Sequence, residues 1–448
     1  MIFKMQIMKT SNNLKNKNTS ANIDKLNRQI DKLKEEREHL HALLNITKNI
    51  STEINIEKLL HKIMDEVRTI LNADRCTVFL YDEDRDELWS KIATGLREEI
   101  RFPADKGIAG HVWKTGETVN IPDAYKDERF NPDIDKKTGY KTRSILTMPL
   151  LNLYNEVIGV FQVLNKKGGP FTKDNEKLLS AISLIAASAI ENAILYTEQK
   201  KSFISFIETL STTLDTRDYI TAGHSKRVTL YALEITRIMK FDQEQMEIIR
   251  FAGLLHDIGK IGVPEVVLFK DRKLSDDEYE IIKRHANLTK SILKKIHFQK
   301  KYREIPEIAA SHHERIDGEG YPEGLNGDNI PLGGKILAVA DAFDALTSRK
   351  PYQDRLELDK VMEIIENETG TAFEPFVVYN FKFIHLNKLI LILEYGHTEE
   401  MDKDELEILD RYTLSDIIEI RTKTVKSSTE LEVENVFMRY YMREYRTK

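Results

Sequence analysis

Between His256 and Tyr321 the chain sets out His256-Asp257, His285, His312-His313 and then Gly318 and Gly320-Tyr321-Pro322, with His224 upstream and Asp341 downstream. Five of its 12 histidines thus accompany two aspartates, separated by helical sequence. Imidazole and carboxylate without thiolate form the donor set for Fe, Mn or Zn in a hydrolytic site. An aspartate can bridge two cations ~3.5–4 Å apart while imidazoles fill the remaining positions, and such a pair neutralises a phosphate oxygen and supplies a nucleophilic water. His256-Asp257 follows Ile248–Leu255, apolar nearly all round, and Asp341 shares its helical face with Leu337, Ala338 and Ala345. A buried carboxylate without a partner costs several kcal/mol, so both aspartates must be paired or coordinating. Lys260, one turn beyond His256, can aim its ammonium at a substrate phosphate in the same pocket.

The elements that position these residues occupy a chain of 448 residues, enough for about three domains at ~100–200 residues each. Charged residues at 31% and hydrophobic ones at 41% suit a globular protein with several buried cores. A net charge of −6 lacks the basic footprint of a nucleic-acid binder, so no nucleic-acid partner is expected. Cys76 is the only cysteine, which excludes an intrachain disulfide framework and a thiolate zinc site and favours a reducing cytoplasm. The longest apolar run, Ala181–Ile190, falls short of the ~18 residues of a membrane span, so no membrane insertion is expected, and the first residues hold no signal-peptide core.

Residues 1–20, dominated from 11 onward by Asn, Lys, Ser and Thr, read as disordered. Over 21–46, Ile23, Leu26, Ile30, Leu33, Leu40 and Leu44 step in heptads broken at Arg37. This predicts a coiled-coil helix and a parallel homodimer, or else one amphipathic helix docked on the next domain. Residues 47–197 mix a helix at Leu59–Leu71 with strands at Cys76–Tyr81 and Val157–Leu164. A long helix starts near Thr172, and its stripe of Ala181, Ile185, Ala189 and Ala193 runs on toward Phe203, Phe206 and Leu210 without Gly or Pro. Such a helix is a stiff connection able to transmit a shift, or a plain spacer. Residues 198–385 are helical throughout. Residues 386–448 form an extension with no legible role, whose ending Met438-Arg-Tyr-Tyr-Met-Arg-Glu-Tyr445 reads as a solvated amphipathic face.

The ordered text Gly223-His-Ser-Lys-Arg-Val228, His256-Asp-Ile-Gly-Lys260, His285, His312-His-Glu-Arg315, Asp317-Gly-Glu-Gly-Tyr-Pro322 and Ala340-Asp-Ala-Phe-Asp-Ala-Leu-Thr-Ser348 resembles the HD-GYP branch of the HD metal-dependent phosphohydrolases. That resemblance implies hydrolysis of cyclic di-GMP to the linear dinucleotide or to GMP, with two divalent cations, Fe or Mn first. It implies His224, His256, Asp257 and Asp341 around one cation, and His285, His312 and His313 around the other, with Asp257 as the bridge. Asp257 and Lys260 would be catalytic, and Lys260, Tyr321 and Lys350 would hold substrate. Ile220 stands where some members carry a third-metal glutamate, which implies two cations. Lys350 and Gln353 replace the family's phosphate-gripping bases, and lysine loses the bidentate fork of arginine. A diguanylate cyclase is a possible partner. The alternatives are a non-catalytic cyclic-dinucleotide or cyclase-binding module, or a hydrolase of another cyclic dinucleotide.

Upstream, Gly107-Ile-Ala-Gly-His-Val112, Asn120-Ile-Pro-Asp-Ala-Tyr125, Thr138-Gly-Tyr-Lys-Thr142 and Asn165-Lys166…Phe171…Asn175-Glu176 resemble a GAF domain of the cyclic-nucleotide-binding type. Thr138 and Thr142 are its candidate pocket residues for a cyclic nucleotide, with a different small ligand or a purely structural or dimerising role as the alternatives. Asn175 replaces an acidic residue and removes a salt bridge to Lys166 unless Asp174 substitutes. The expected architecture is therefore multidomain: an N-terminal coiled-coil helix, an α+β GAF domain with an antiparallel sheet and flanking helices, and an all-α HD-GYP domain.

Overall fold

The computed structural model describes residues 25–27, 29–34, 37–38, 40–41, 43–90, 99–217, 223–270, 272, 274–348, 355–396 and 398–442, the side chains of 134, 137, 138, 216, 217 and 400 excepted. The chain divides into two units, Met1–Lys201 and Ser202–Lys448. Ile23, Ile220, Lys350, Gln353 and the side chain of Thr138 lie outside the described residues.

The first unit is built on a six-stranded antiparallel sheet in the order β3-β2-β1-β6-β5-β4. Its strands are β1 (Ala73–Asp82), β2 (Glu87–Ser90), β3 (Ile100–Pro103), β4 (Val119–Ile121), β5 (Ile145–Leu151) and β6 (Val157–Lys166). The helices are α1 (Ile56–Ile70), α2 (Gly107–Thr115), α3 (Asp133–Thr138) and the part up to Lys201 of α4 (Lys173–Arg217), whose remaining residues belong to the second unit. Side chains alternate faces along a strand. Cys76, Val78 and Leu80 of β1, opposite Phe161 and Val163 of β6, therefore bury against Leu60, Ile63 and Val67 of α1 and Leu179, Ile182, Ala186 and Ile190 of α4. Phe79 and Val160 face the other way, into a second core with Ile108, Ala109 and Val112 of α2. Residues 43–50 are helical and contribute Ile46 and Ile50 to the first core, whereas Leu26, Ile30, Leu33, Leu40 and Leu44 are exposed.

One helix among the described residues, within Lys173–Asp215, is long and apolar enough to cross a membrane, which the short run at Ala181–Ile190 did not suggest. Its apolar residues have a nearer purpose, since Leu179, Ile182, Ala186, Ala187, Ile190 and Ala193 fill the unit's own core. Asp174 pairs with Lys177 rather than Lys166. Asn175 instead accepts from the Thr172 N–H and hydroxyl and so caps the start of α4. Asn165, at φ 57°, accepts from the Arg143 and Ser144 N–H groups and donates to the Tyr140 hydroxyl and the Lys141 carbonyl. One side chain thereby fixes the loop entering β5.

The second unit is helical: α5 (His224–Ile238), α6 (Gln243–Leu255), α7 (Glu265–Leu268), α8 (Asp276–Leu293), α9 (Ile305–Ala310), α10 (Leu332–Thr347), α11 (Leu358–Asn367), α12 (Pro375–Phe381), α13 (Leu386–Leu393), α14 (Lys403–Leu409), α15 (Leu414–Thr422) and α16 (Ser428–Tyr441). Capping boxes at Asp242/Gln245 and Ser275/Glu278 start α6 and α8. Val228, Tyr231, Phe251, Leu255, Ile336 and Phe343 share one core with Leu389, Ile390, Phe437 and Tyr441. The aromatics near residue 440 are thus packed inside and are not a solvated face. Tyr441 is fully buried, donates its hydroxyl to the Leu356 carbonyl and accepts from Arg355 through its own carbonyl. Burial of each ring removes a large apolar area from water, which outweighs the exposure expected from the flanking charges.

Replacing Asn165 with Ala would leave two loop N–H groups unpaired and a Cβ-bearing residue in left-handed backbone. The expected cost is about 2–4 kcal/mol, read as a lower unfolding midpoint of the first unit in denaturant.

Candidate metal centre

α6 ends at Leu255, and the chain tightens through His256 and Asp257 into a 3₁₀ turn at Ile258–Gly262. That turn lies on α8: the Gly259 N–H donates to the Thr289 hydroxyl, which donates in turn to the His256 carbonyl. A Cβ on Gly259 would sit 1.9 Å from the His285 carbonyl oxygen, so only glycine lets His256-Asp257 and His285 approach this closely. α9 delivers His312-His313 just past its end, and α10, almost wholly buried, presents Asp341.

Three imidazoles are oriented by the same device. The Nδ1 of His256, His285 and His312 each lie 2.7 Å from the carbonyl oxygen three residues earlier, of Gly253, Ile282 and Ala309. A carbonyl only accepts, so Nδ1 carries the proton and Nε2 presents a lone pair. His256 Nε2 is buried without a hydrogen-bond partner, and the Nε2 atoms of His285 and His312 face each other at 3.4 Å. Converging buried lone pairs with no proton between them fit a cation. Donor atoms lie within 4.8 Å of one another in three groups: His285–His312–His313, His224–His256–Asp341 and His256–Asp257–His312.

Asp257 stands between the first two groups. Its Oδ2 is 3.7 Å from His224 Nε2 and 3.4 Å from His256 Nε2, whereas its Oδ1 is 3.4 Å from His285 Nε2 and 3.9 Å from His312 Nε2. Burial opposes its charge, but the Lys260 ammonium, 2.6 Å from Oδ2, and the imidazoles outweigh that and hold its carboxyl well below the usual range. Burial also opposes the charge of His224, yet Asp341 and Asp344 prevail and push its pKa up to about 10. His285 is pushed down by burial, His312 well down by burial and by His313, and His313 by burial to about 4. These three are therefore neutral near pH 7, as ligation requires.

Tyr321 lies against His313, ring centroids 4.7 Å apart, and 6.3 Å from His285. Burial pushes its hydroxyl pKa upward, so the phenol stays protonated. The loop that carries it is pinned by Glu314, whose buried carboxylate accepts from the Glu323 and Leu325 N–H groups at 2.7 and 2.9 Å. A Cβ on Gly320 would come within 2.4 Å of the Arg315 nitrogen, which keeps that position small. In the first unit, Thr142 donates both its N–H and its hydroxyl to Asp135, so it is engaged inside the protein.

All seven residues expected as ligands thus meet, with Lys260 and Tyr321 beside them. Asp344 was missed. It is fully buried, its Oδ2 accepts from His224 Nδ1 at 2.8 Å, and Arg227 donates to both of its oxygens. It therefore fixes the tautomer of His224 as carbonyls do for the others. Its signal was a second carboxylate, three residues after Asp341, in the otherwise apolar stretch Ile336–Leu346. Replacing Asp344 with Asn keeps the shape and removes the charge. The expected result is a ~10–100-fold loss of divalent-cation affinity, measured by titration with Mn(II).

Two stretches of the chain match known domain families. Residues 208–377 match the HD domain family, and residues 55–190 match the GAF domain family. The 3'3'-cGAMP-specific phosphodiesterase 3 of Vibrio cholerae is 40% identical over 162 residues, 36% of this chain and 35% of that protein. The 3'3'-cGAMP-specific phosphodiesterase 2 of the same organism is 32% identical over 204 residues, 46% of this chain and 39% of that one. A cyclic di-GMP phosphodiesterase of Thermotoga maritima is 38% identical over 209 residues, 47% of this chain and 55% of that one. The chain thus spans between about a third and about half of these relatives. It carries one region that matches the GAF domain family and another that matches the HD domain family.

Proposed function

We propose that the HD domain hydrolyses a phosphodiester bond of a cyclic dinucleotide, cyclic di-GMP first, to the linear dinucleotide, GMP or both. The observation that carries this reading is the pair of His/Asp donor groups facing the two oxygens of Asp257. His224, His256, Asp257 and Asp341 would hold one cation, and His285, His312 and His313 with Asp257 the other. Fe and Mn suit a thiolate-free set of this kind. When bound, two such cations acidify a water toward neutral pH and neutralise charge on a phosphoryl oxygen.

The chain's own residues supply the rest. Lys260, partly open to solvent, stands at the edge of Asp257 and draws the anionic diester toward the centre. Tyr321 walls the side of His313 and presents a neutral hydroxyl there. Asp344 and Arg227 keep His224 from swinging away. Water adds to phosphorus as the P–O bond to one ribose breaks, and that ribose oxygen leaves with a proton, giving a phosphomonoester and an alcohol.

The second reading is a hydrolase of 3'3'-cGAMP, favoured by the names of two relatives. Anaerobic assays of the full chain loaded with Fe(II) or Mn(II) should convert cyclic di-GMP, and His312→Ala should lower the rate at least ~10²-fold. A higher kcat/KM for 3'3'-cGAMP would exchange the two substrates. No turnover of either leaves a binding module that signals by contact.

The GAF domain is read as the regulatory part, with a cyclic mononucleotide as the ligand class and a second copy of the chain on the heptad stripe of Leu26, Ile30 and Leu33. Because Thr142 is already held by Asp135, a ligand using its hydroxyl must displace that bond. Calorimetric titration of the full chain with cyclic AMP and cyclic GMP should show heat with at least one. Silence with both would remove the cyclic-mononucleotide reading.

A further inference from the structure

Four consecutive residues at the start of α5 are each tied down by a side chain. His224 enters the centre and bonds Asp344. The Ser225 hydroxyl donates to Asp215 Oδ1 at 2.9 Å, and Lys226 Nζ donates to Glu208 Oε1 at 2.9 Å. Arg227 donates to Asp344 and to the Ser348 hydroxyl. Glu208 and Asp215 are two turns apart on α4, so one face of that helix holds the first turn of α5.

The hold lies where α5 has least of its own. A helix leaves its first N–H groups without intrahelical partners, and Gly223 before it, at φ 73°, offers no side-chain cap. The backbone that aims His224 therefore depends on its anchors. Two of those anchors face the catalytic helices, and the other two face α4. Packing does not require the α4 pair: Lys226 and Glu208 are 27% and 38% exposed, and an ion pair so open to water contributes little to stability. Asp215 is half-buried, and burial pushes its pKa up against the opposing hydrogen bond from Ser225. α4 is the helix whose earlier turns supply Ile182, Ala186 and Ile190 to the core of the GAF domain.

We propose that Asp215 and Glu208 are positioning residues: through Ser225 and Lys226 they set the first turn of α5, so that α4 tunes cation affinity at the His224–His256–Asp341 group and leaves the His285–His312–His313 group unaffected. This rests on reading both groups as cation sites. A small axial shift of α4 would change the two bonds together, because both of its carboxylates move as one.

The test uses the full chain, titrated with Mn(II) and followed by electron paramagnetic resonance, with the affinity class that His224→Ala abolishes taken as the first group. Asp215→Ala and Ser225→Ala should each weaken that class about three- to tenfold, less than the ~10–100-fold loss of a direct partner of a ligand. The double variant should be no weaker than Asp215→Ala alone, since both remove one bond. Asp215→Asn, which keeps an acceptor oxygen, should recover part of the loss. Should Asp215→Ala not fold, Ser225→Ala and Asp215→Asn still decide the matter. Wild-type affinity in these variants, or equal losses in both classes, would overturn the proposal. A wild-type chain that binds no Mn(II) would instead refute the reading of the groups as cation sites.

Discussion

The centre depends on where three protons sit. His256, His285 and His312 each give the Nδ1 proton to a carbonyl three residues earlier, and that is possible only where the backbone before the histidine is helical. Once the proton is fixed, each ring has one free lone pair and one direction in which to point it. Helix ends therefore act as ligand-orienting devices. α6 and α9 stop at their histidines, whereas α8 runs past His285, because Thr289 one turn on must reach the His256 turn. His224 is the first residue of its helix, and its Nδ1 is met instead by Asp344 from across the core.

This division explains what could be read from the sequence. Donor chemistry belongs to residue type, so the seven histidines and aspartates that converge here could be picked out in the sequence, as could strands at Cys76–Tyr81 and Val157–Leu164. What holds the ligands belongs to contacts across long separations. Asp344 meets His224 across 120 positions, and the apolar sequence around it marks a second carboxylate without naming its partner. Thr289 and Glu314 were hidden for the same reason: a threonine inside a helix and a glutamate in a loop are ordinary until the backbone groups they satisfy are known.

Two further differences have local causes. Asn175 in place of an acid looked like a lost ion pair, yet its carbonyl oxygen does the geometric work of a carboxylate at the start of α4. At Met438–Tyr441 the surrounding charges suggested a wet surface. Charge on one face of a helix says little about the opposite face, and there Phe437 and Tyr441 are fully buried.

That last packing has a consequence for how the protein is made. Arg355 joins the end of α10, through the Thr347 carbonyl, to the Tyr441 carbonyl and to Glu394, and Tyr441 completes a core begun by Ile207. Domains form from the N-terminal side as a chain is synthesised, but a core closed by contacts this distant in sequence waits for its last member. The described strands of the first unit are all present once residue 166 has emerged, whereas the core of the second unit lacks its last member until residue 441 is free of the ribosome. The unit built on the sheet is thus assembled first, and the His/Asp cluster of the second unit comes together only after synthesis has passed both.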